Sequence, residues 1–212
     1  MRFQPVGLSV IVSILACAAP DSGTETSGTG TGGSDTEGGG EDTGTGGDSN
    51  AVTLTTTLGE ITVKLDPDNA PITTANFLTY VDEGFFDGDD GEGATIFHRV
   101  IPDFMAQGGG YTAAGATETT HDAIKLESDN GLSNVRGTIA MARTNQPNSA
   151  TSQFFINVVD NTFLDSTGGA DGYAVFGAVT SGMDVVDSIV AVPTDGADKP
   201  NDDIEITDCE RN

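Results

Sequence analysis

The sequence predicts a mainly β protein, a closed antiparallel β-barrel with two helices, preceded by a long segment unable to fold on its own. Three observations carry this. Short runs rich in Val, Ile, Thr and Phe recur between Gly-rich turns after residue 50, only two stretches show helical spacing, and residues 18–50 contain almost nothing apolar. Many short strands with few helices favour closure, because a closed sheet leaves no sticky edge.

Taken in order, the first element is an apolar run from Val6 to Ala16 behind a single Arg. It is too short to span a bilayer and has the proportions of a secretory signal. It ends at Ile14-Leu15-Ala16-Cys17, which resembles the lipobox of bacterial lipoproteins. That resemblance implies an exported protein with a lipid on Cys17, anchored in the cell envelope. Ala18 follows the Cys, which points to the outer membrane, on its periplasmic or surface face. A cleaved signal with an incidental Cys, or an uncleaved anchor, are the alternatives. Residues 18–50, with SGTGTGGSDTEGGGEDTGTGG at their centre, form a Gly/Ser/Thr/acidic linker that cannot offset its ordering entropy. Its expected reach is roughly 30 Å.

Residues 51–212 form the folded part. Val52–Thr57 and Glu60–Leu65 read as strands joined at Leu58-Gly59, with Ile61, Val63 and Leu65 alternating onto one face. Asp66 to Pro71 supplies helix-start signals, Phe77, Leu78 and Val81 an apolar stripe, and Gly84 a stop. Strands are expected over 96–100, 104–107, 138–142, 153–158 and 174–179, a second helix over Met183–Val190, and a last strand over Ile204–Thr207.

Charge removes whole classes of function. With 33 acidic against 8 basic residues, the protein repels phosphate backbones, so no nucleic-acid partner is expected. The sequence contains no P-loop, no GxSxG and no HExxH. With only His98, His121 and the lone Cys209 besides Cys17, no metal site or disulfide framework is expected, and no cofactor. The run Asp87-Gly88-Asp89-Asp90-Gly91-Glu92 misses the order of a calcium loop, because Gly91 takes its fifth position, and reads better as a solvated acidic loop.

The informative stretch is FHRVIPDFMAQGGG, residues 97–110, which sets one cation, Arg99, among Phe97, Val100, Ile101, Phe104 and Met105. A guanidinium is permanently protonated and cannot serve as base or nucleophile. It can donate hydrogen bonds and present charge. Rotation about an X-Pro bond needs that and no proton transfer. Its barrier is about 18–20 kcal/mol, and the prolyl nitrogen regains its lone pair only when the bond is twisted. A donor directed at that nitrogen is favoured in the transition state alone. Reaching the millisecond range takes roughly 6 kcal/mol, whereas one charged hydrogen bond supplies about 1.5–3, so an apolar pocket and a peptide groove must supply the rest.

This stretch, with RGTIAMAR (136–143), SATSQFFINVVDNTFLD (149–165) and GYAVFGAVTSGMDVVDSI (172–189), resembles cyclophilin-type peptidyl-prolyl cis-trans isomerases of the bacterial branch, in one collinear order over nearly all of residues 51–208. The resemblance implies an eight-stranded antiparallel barrel capped by two helices, and a monomer that acts on proline-containing unfolded or flexible polypeptides. It makes Arg99 the catalytic arginine. Phe104, Met105, Phe155 and Leu164 become the proline pocket, Gln107 a positioning residue, Gln153, Ala142 and Arg143 the peptide groove, and His98 a border of the pocket. Phe163 and Tyr173 stand where eukaryotic members carry Trp and His, which implies weak binding of cyclosporin. Arg143 replaces an Asn of those members and adds a second cation. A proline-peptide holdase with incidental isomerase activity, and a structural or adhesion domain reusing the barrel, are the competing readings.

Overall fold

In the computed structural model of the protein, residues 50–117, 119–168 and 171–212 are described; the expected signal, Cys17 and the linker up to residue 49 lie outside them. Strands β1 (Ala51–Thr56) and β2 (Gly59–Leu65) form the hairpin that Leu58-Gly59 suggests. Gly59 takes the positive φ of 137° that the turn needs, and the Thr56 hydroxyl donates to its carbonyl at 2.8 Å. Ile61, Val63 and Leu65 are all buried, as their alternation predicts.

Helix α1 (Pro71–Asp82) starts at its proline, where a missing N–H costs nothing. The free amides of Ile72 and Thr73 donate to the carboxylate of Glu127, 55 and 54 residues away, so a distant loop caps the helix. The helix buries Phe77, Leu78, Tyr80 and Val81. Then come β3 (Arg99–Ile101), β4 (Met105–Gly108), β5 (Thr138–Met141), β6 (Phe154–Asn157), a 3₁₀ turn over Thr162–Leu164, β7 (Val175–Ser181), α2 (Met183–Val190) and β8 (Ile206–Arg211).

The eight strands make one curled antiparallel sheet in the order β3-β4-β6-β5-β7-β2-β1-β8. Expectation is met in part. The strand and helix complement is as expected, but the terminal strands β3 and β8 share no ladder. Their leading segments meet in a single bridge, Ile96 to Glu205, flanked by Phe97 N–H to Ile204 O and Ile206 N–H to Thr95 O, both 2.9 Å. This contact also corrects two boundaries. Residues 96 and 97 serve the bridge and not the β3 ladder, and the last strand starts two residues later than expected, at Ile206, because Ile204 is spent on Phe97. Phe104 drops out of its expected strand: Asp103 turns left-handed at φ 58°, and Phe104 N–H closes that turn onto Ile101 O at 3.2 Å.

Alternation sends one set of residues inward. Phe154, Ile156, Ile139, Met141, Val100 and Ala106 join α1, α2 and the hairpin in the main core. Phe77 sits at its centre, with ring centroids 5.1, 5.6 and 5.2 Å from Phe86, Phe154 and Phe176.

Candidate active site

The other set points outward, and ladder register alone assembles it. Arg99 pairs with Gln107, Gln107 with Phe155, Phe155 with Ala140, and Ala140 with Val175, one row across five strands. In the next row Ile101 pairs with Met105 and Met105 with Asn157. Paired residues share a face. A second apolar cluster results, separate from the core: Met105, Ala140, Ala142, Phe155, Leu164 and Val175, flanked by Ile101, Phe104, Leu132 and Tyr173.

Six of the expected site residues, Phe104, Met105, Ala142, Phe155, Leu164 and Tyr173, therefore lie in one cluster. Phe155 meets Tyr173 edge-on at 5.7 Å, and Phe163, 65% exposed, stacks on Phe104 at 5.9 Å as the cluster's rim. Arg143 lies over the Tyr173 ring at 4.7 Å, where its Nε donates to Gly172 O and its Nη1 to Thr144 O. It makes no ion pair among the described residues.

Gln107 donates from Nε2 to Gln153 Oε1 at 3.0 Å, and Gln153 O accepts from Ala142 N at 2.9 Å. The amide of Gln107 thus engages Gln153 and not Arg99. The Gln-Gly-Gly-Gly run explains the spacing, since a Cβ on Gly110 would fall onto the Gln153 side chain.

Arg99 is held by something the sequence did not single out. Its Nε lies 3.6 Å from Asp198 Oδ2, while Val100 N–H donates to Asp198 O at 2.9 Å. Asp198 itself sits left-handed at φ 64°. The other end of the guanidinium is unusual: Nη1 is buried and has no hydrogen-bond partner. Leaving a buried donor unpaired costs about 1–3 kcal/mol, more for a charged group, so such atoms in native proteins call for a reason.

His98 adjoins Arg99 in the chain and has Tyr111 as its ring neighbour. Its ring packs edge-on against Tyr111 at 4.8 Å and lines a separate cavity of about 220 Å³ with Ile96, Tyr111, Thr112, Gly115 and Lys199. Burial, reinforced by the Arg99 charge, pushes its imidazole down to about 4. It stays neutral at ordinary pH and adds no second charge beside Arg99. The acidic loop is anchored at Asp87, which accepts from Cys209 N at 2.9 Å, and is exposed over residues 89–92, where Asp90 accepts from Glu92 N at 2.9 Å. Among the described residues no three ligand-type side chains converge for a metal.

Sequence reasoning also missed a polar patch behind the cluster. Asn134, Asn157 and Asn161 are at most 2% exposed and bond to one another. Asn157 and Asn161 could have been noticed as four-apart amides in an otherwise apolar run; Asn134 carries no local signal.

Comparison with known proteins gives the following. Residues 51–211 match the family model described as cyclophilin type peptidyl-prolyl cis-trans isomerase. Peptidyl-prolyl cis-trans isomerase A of Dickeya dadantii is 52% identical over 147 residues, covering 69% of this chain and 74% of that protein. Peptidyl-prolyl cis-trans isomerase B of Escherichia coli is 49% identical over 162 residues, covering 73% of this chain and 95% of that protein. A crystal structure of a Cryptosporidium parvum cyclophilin type isomerase in the presence of the dipeptide Ala-Pro superposes with a TM-score of 0.63 at 27% identity, covering 76% of this chain and 98% of that one.

Proposed function

Since the chain belongs to the cyclophilin-type peptidyl-prolyl cis-trans isomerase family and is an isomerase of X-Pro bonds, we propose that Arg99 drives the rotation from the outer face of the sheet. The single observation that carries this is its buried Nη1 without a partner, on the face that also bears the apolar cluster. A donor without a partner in the free protein has no hydrogen bond to give up, so only the side-chain shift that uncovers it is needed when a prolyl nitrogen turns its lone pair toward it. The proline ring fills the cluster of Phe104, Met105, Phe155 and Leu164, and Gln107, Gln153 and Ala142 receive the peptide backbone. In this reading the bridge between 95–97 and 204–206 closes the barrel just ahead of the catalytic arginine.

The test is isomerisation of an Ala-Pro peptide by residues 51–212 beside the Arg99→Ala variant. The expected result is a fall of roughly 10²–10³ in kcat/KM with peptide affinity largely kept, in line with loss of one transition-state donor. Equal loss of binding and turnover would instead favour a holdase in which isomerisation is incidental.

We further propose that the protein is an exported monomer, lipid-anchored through Cys17 to the outer membrane and acting on folding polypeptides. The motif Ile14-Leu15-Ala16-Cys17 and the polar linker support this. A mass of the membrane-extracted protein without diacylglycerol on Cys17 removes the anchor.

A further inference from the structure

The walls of the proline pocket come from two sources. Met105, Ala140, Phe155 and Val175 lie in strands, and ladder hydrogen bonds fix them. Phe104 lies in a turn, Leu164 in the 3₁₀ turn and Tyr173 in the segment before β7. Loops alone do not hold side chains to the tolerance that catalysis requires.

Three buried asparagines join these loops. Asn157, on the same face of β6 as Phe155, donates from Nδ2 to Asn134 Oδ1 at 3.2 Å and to Thr138 Oγ1 at 3.0 Å, and accepts from Asn161 Nδ2 at 2.8 Å. Asn161 Nδ2 also donates to Phe104 O at 2.9 Å, and Asn161 O accepts from Leu164 N at 2.8 Å. Asn134 Nδ2 donates to Tyr173 O at 3.3 Å and to Asp165 Oδ1 at 2.9 Å, while Asn161 N donates to Asn134 O at 2.7 Å. Each loop-borne wall is therefore one bond from the same network. Every side-chain N–H of Asn157 and Asn161 is used. A buried network with all members satisfied is stiff, because any displacement strands a donor.

We propose that Asn134, Asn157 and Asn161 are positioning residues that clamp Phe104, Leu164 and Tyr173 around the proline ring. They touch no substrate and act through the walls. The proposal rests on the isomerase reading. Its signature is loss of proline-peptide binding with the chemical step spared, since Arg99 is held separately by Asp198.

The test compares Asn161→Ala and Asn157→Asp with Val186→Ala, a cavity variant in the buried side of α2, all in the full chain. Readouts are kcat, KM and the calorimetric Kd of an Ala-Pro peptide. Asn157→Asp keeps shape but loses both donors. Expected is a rise of about tenfold in KM and Kd for the two Asn variants, with kcat within about threefold, and no change in either for Val186→Ala despite its lower stability. A KM and Kd within twofold of the parent, or a kcat loss at unchanged KM, overturns the clamp. Should either variant not fold, carboxamide proton exchange in the unmodified protein decides: slow exchange at Asn157 and Asn161 without peptide supports the clamp, and exchange as fast as at a surface asparagine overturns it. A parent protein without turnover would count against the isomerase reading instead, with the Kd ratios still testing the clamp.

Discussion

Phe154 and Phe155 are neighbours in β6, both essentially without solvent exposure, and they live in different proteins, so to speak. Phe154 points into the core and meets Phe77, Phe86 and Phe97 edge-on at 5.6 to 6.0 Å. Phe155 points outward into the second cluster and meets Tyr173. The inner face is covered by α1 and α2. The outer face is covered by loops, a rim and the arginine, and where a loop covers a sheet, a peptide can take part of its place. One strand thus contributes stability from alternate residues and chemistry from those between them.

The sharpest way to break this division is to truncate each ring. Phe154→Ala should cost about 3–5 kcal/mol in denaturant unfolding, as for a fully packed aromatic, with kcat and KM of the remaining folded molecules unchanged. Phe155→Ala should cost stability at the low end of that range, about 3 kcal/mol, because its cluster is smaller than the main core. It should raise KM at least tenfold. If both variants lose stability and activity alike, the two faces are not separable.

Arg99→Lys sharpens the comparison on the outer face alone. Lysine keeps the charge but replaces a planar fork with a single ammonium, so it cannot reach Asp198 with one nitrogen and leave another free. We expect kcat/KM to fall by roughly 10–100-fold with unfolding stability within about 0.5 kcal/mol of the parent. Full activity in the lysine variant would reduce the role of Arg99 to charge.

The inner face was legible in the sequence and the outer face largely was not. Ile61, Val63 and Leu65, or Phe77, Leu78 and Val81, announce themselves by period, because a buried face needs an apolar residue at every turn of the pattern. In β4 and β6 both faces are buried, so Met-Ala-Gln-Gly and Phe-Phe-Ile-Asn show no alternation and periodicity cannot say which residues face out. There the collinear family motifs supplied what spacing could not. They did not supply Asp198 or Asn134, whose roles depend on loops that return from 99 and 23 residues away, nor the packing of His98 against Tyr111. Glu127 capping α1 is of the same kind. Contacts made by long returns leave no local trace.

His98 gives a prediction in which sign matters. Its unfolded value is near 6.5 and its folded value is about 4, since burial and the Arg99 charge disfavour the imidazolium. Above pH 6.5 both states are neutral and the full contribution to stability is present. As pH falls from 6.5 to about 4 the unfolded chain takes up a proton that the folded one refuses, so stability declines across that window and levels off below it. Unfolding measured between pH 4 and 7 should show this slope in the parent and lose it in His98→Gln. Turnover between pH 6 and 8 should carry no titration from this residue. A sigmoidal step in rate with its midpoint near pH 6.5, absent in His98→Gln, would place a titrating His98 imidazole in the site and contradict its burial.

The smallest expected effect concerns Arg143. Its guanidinium is fixed on Tyr173 with two donors engaged, and among the described residues no carboxylate pairs with it. A cation fixed and unpaired beside a peptide groove favours an acidic residue on the peptide, but it is partly open to solvent, and exposed pairs contribute only about 0.2–1 kcal/mol. Peptides with Glu in place of Ala next to the Ala-Pro unit should therefore gain at most a few-fold in kcat/KM. Arg143→Ala should remove that gain. The surrounding field works the other way, since a net charge of -25 repels acidic peptides at long range. Salt therefore has two opposing effects on the same substrate: it weakens the local attraction to Arg143 and the distant repulsion by the rest of the molecule. In Arg143→Ala only the second remains, so added salt should raise kcat/KM for the Glu peptide in the variant and change it little in the parent. The difference between those two salt slopes isolates one cation from the field around it.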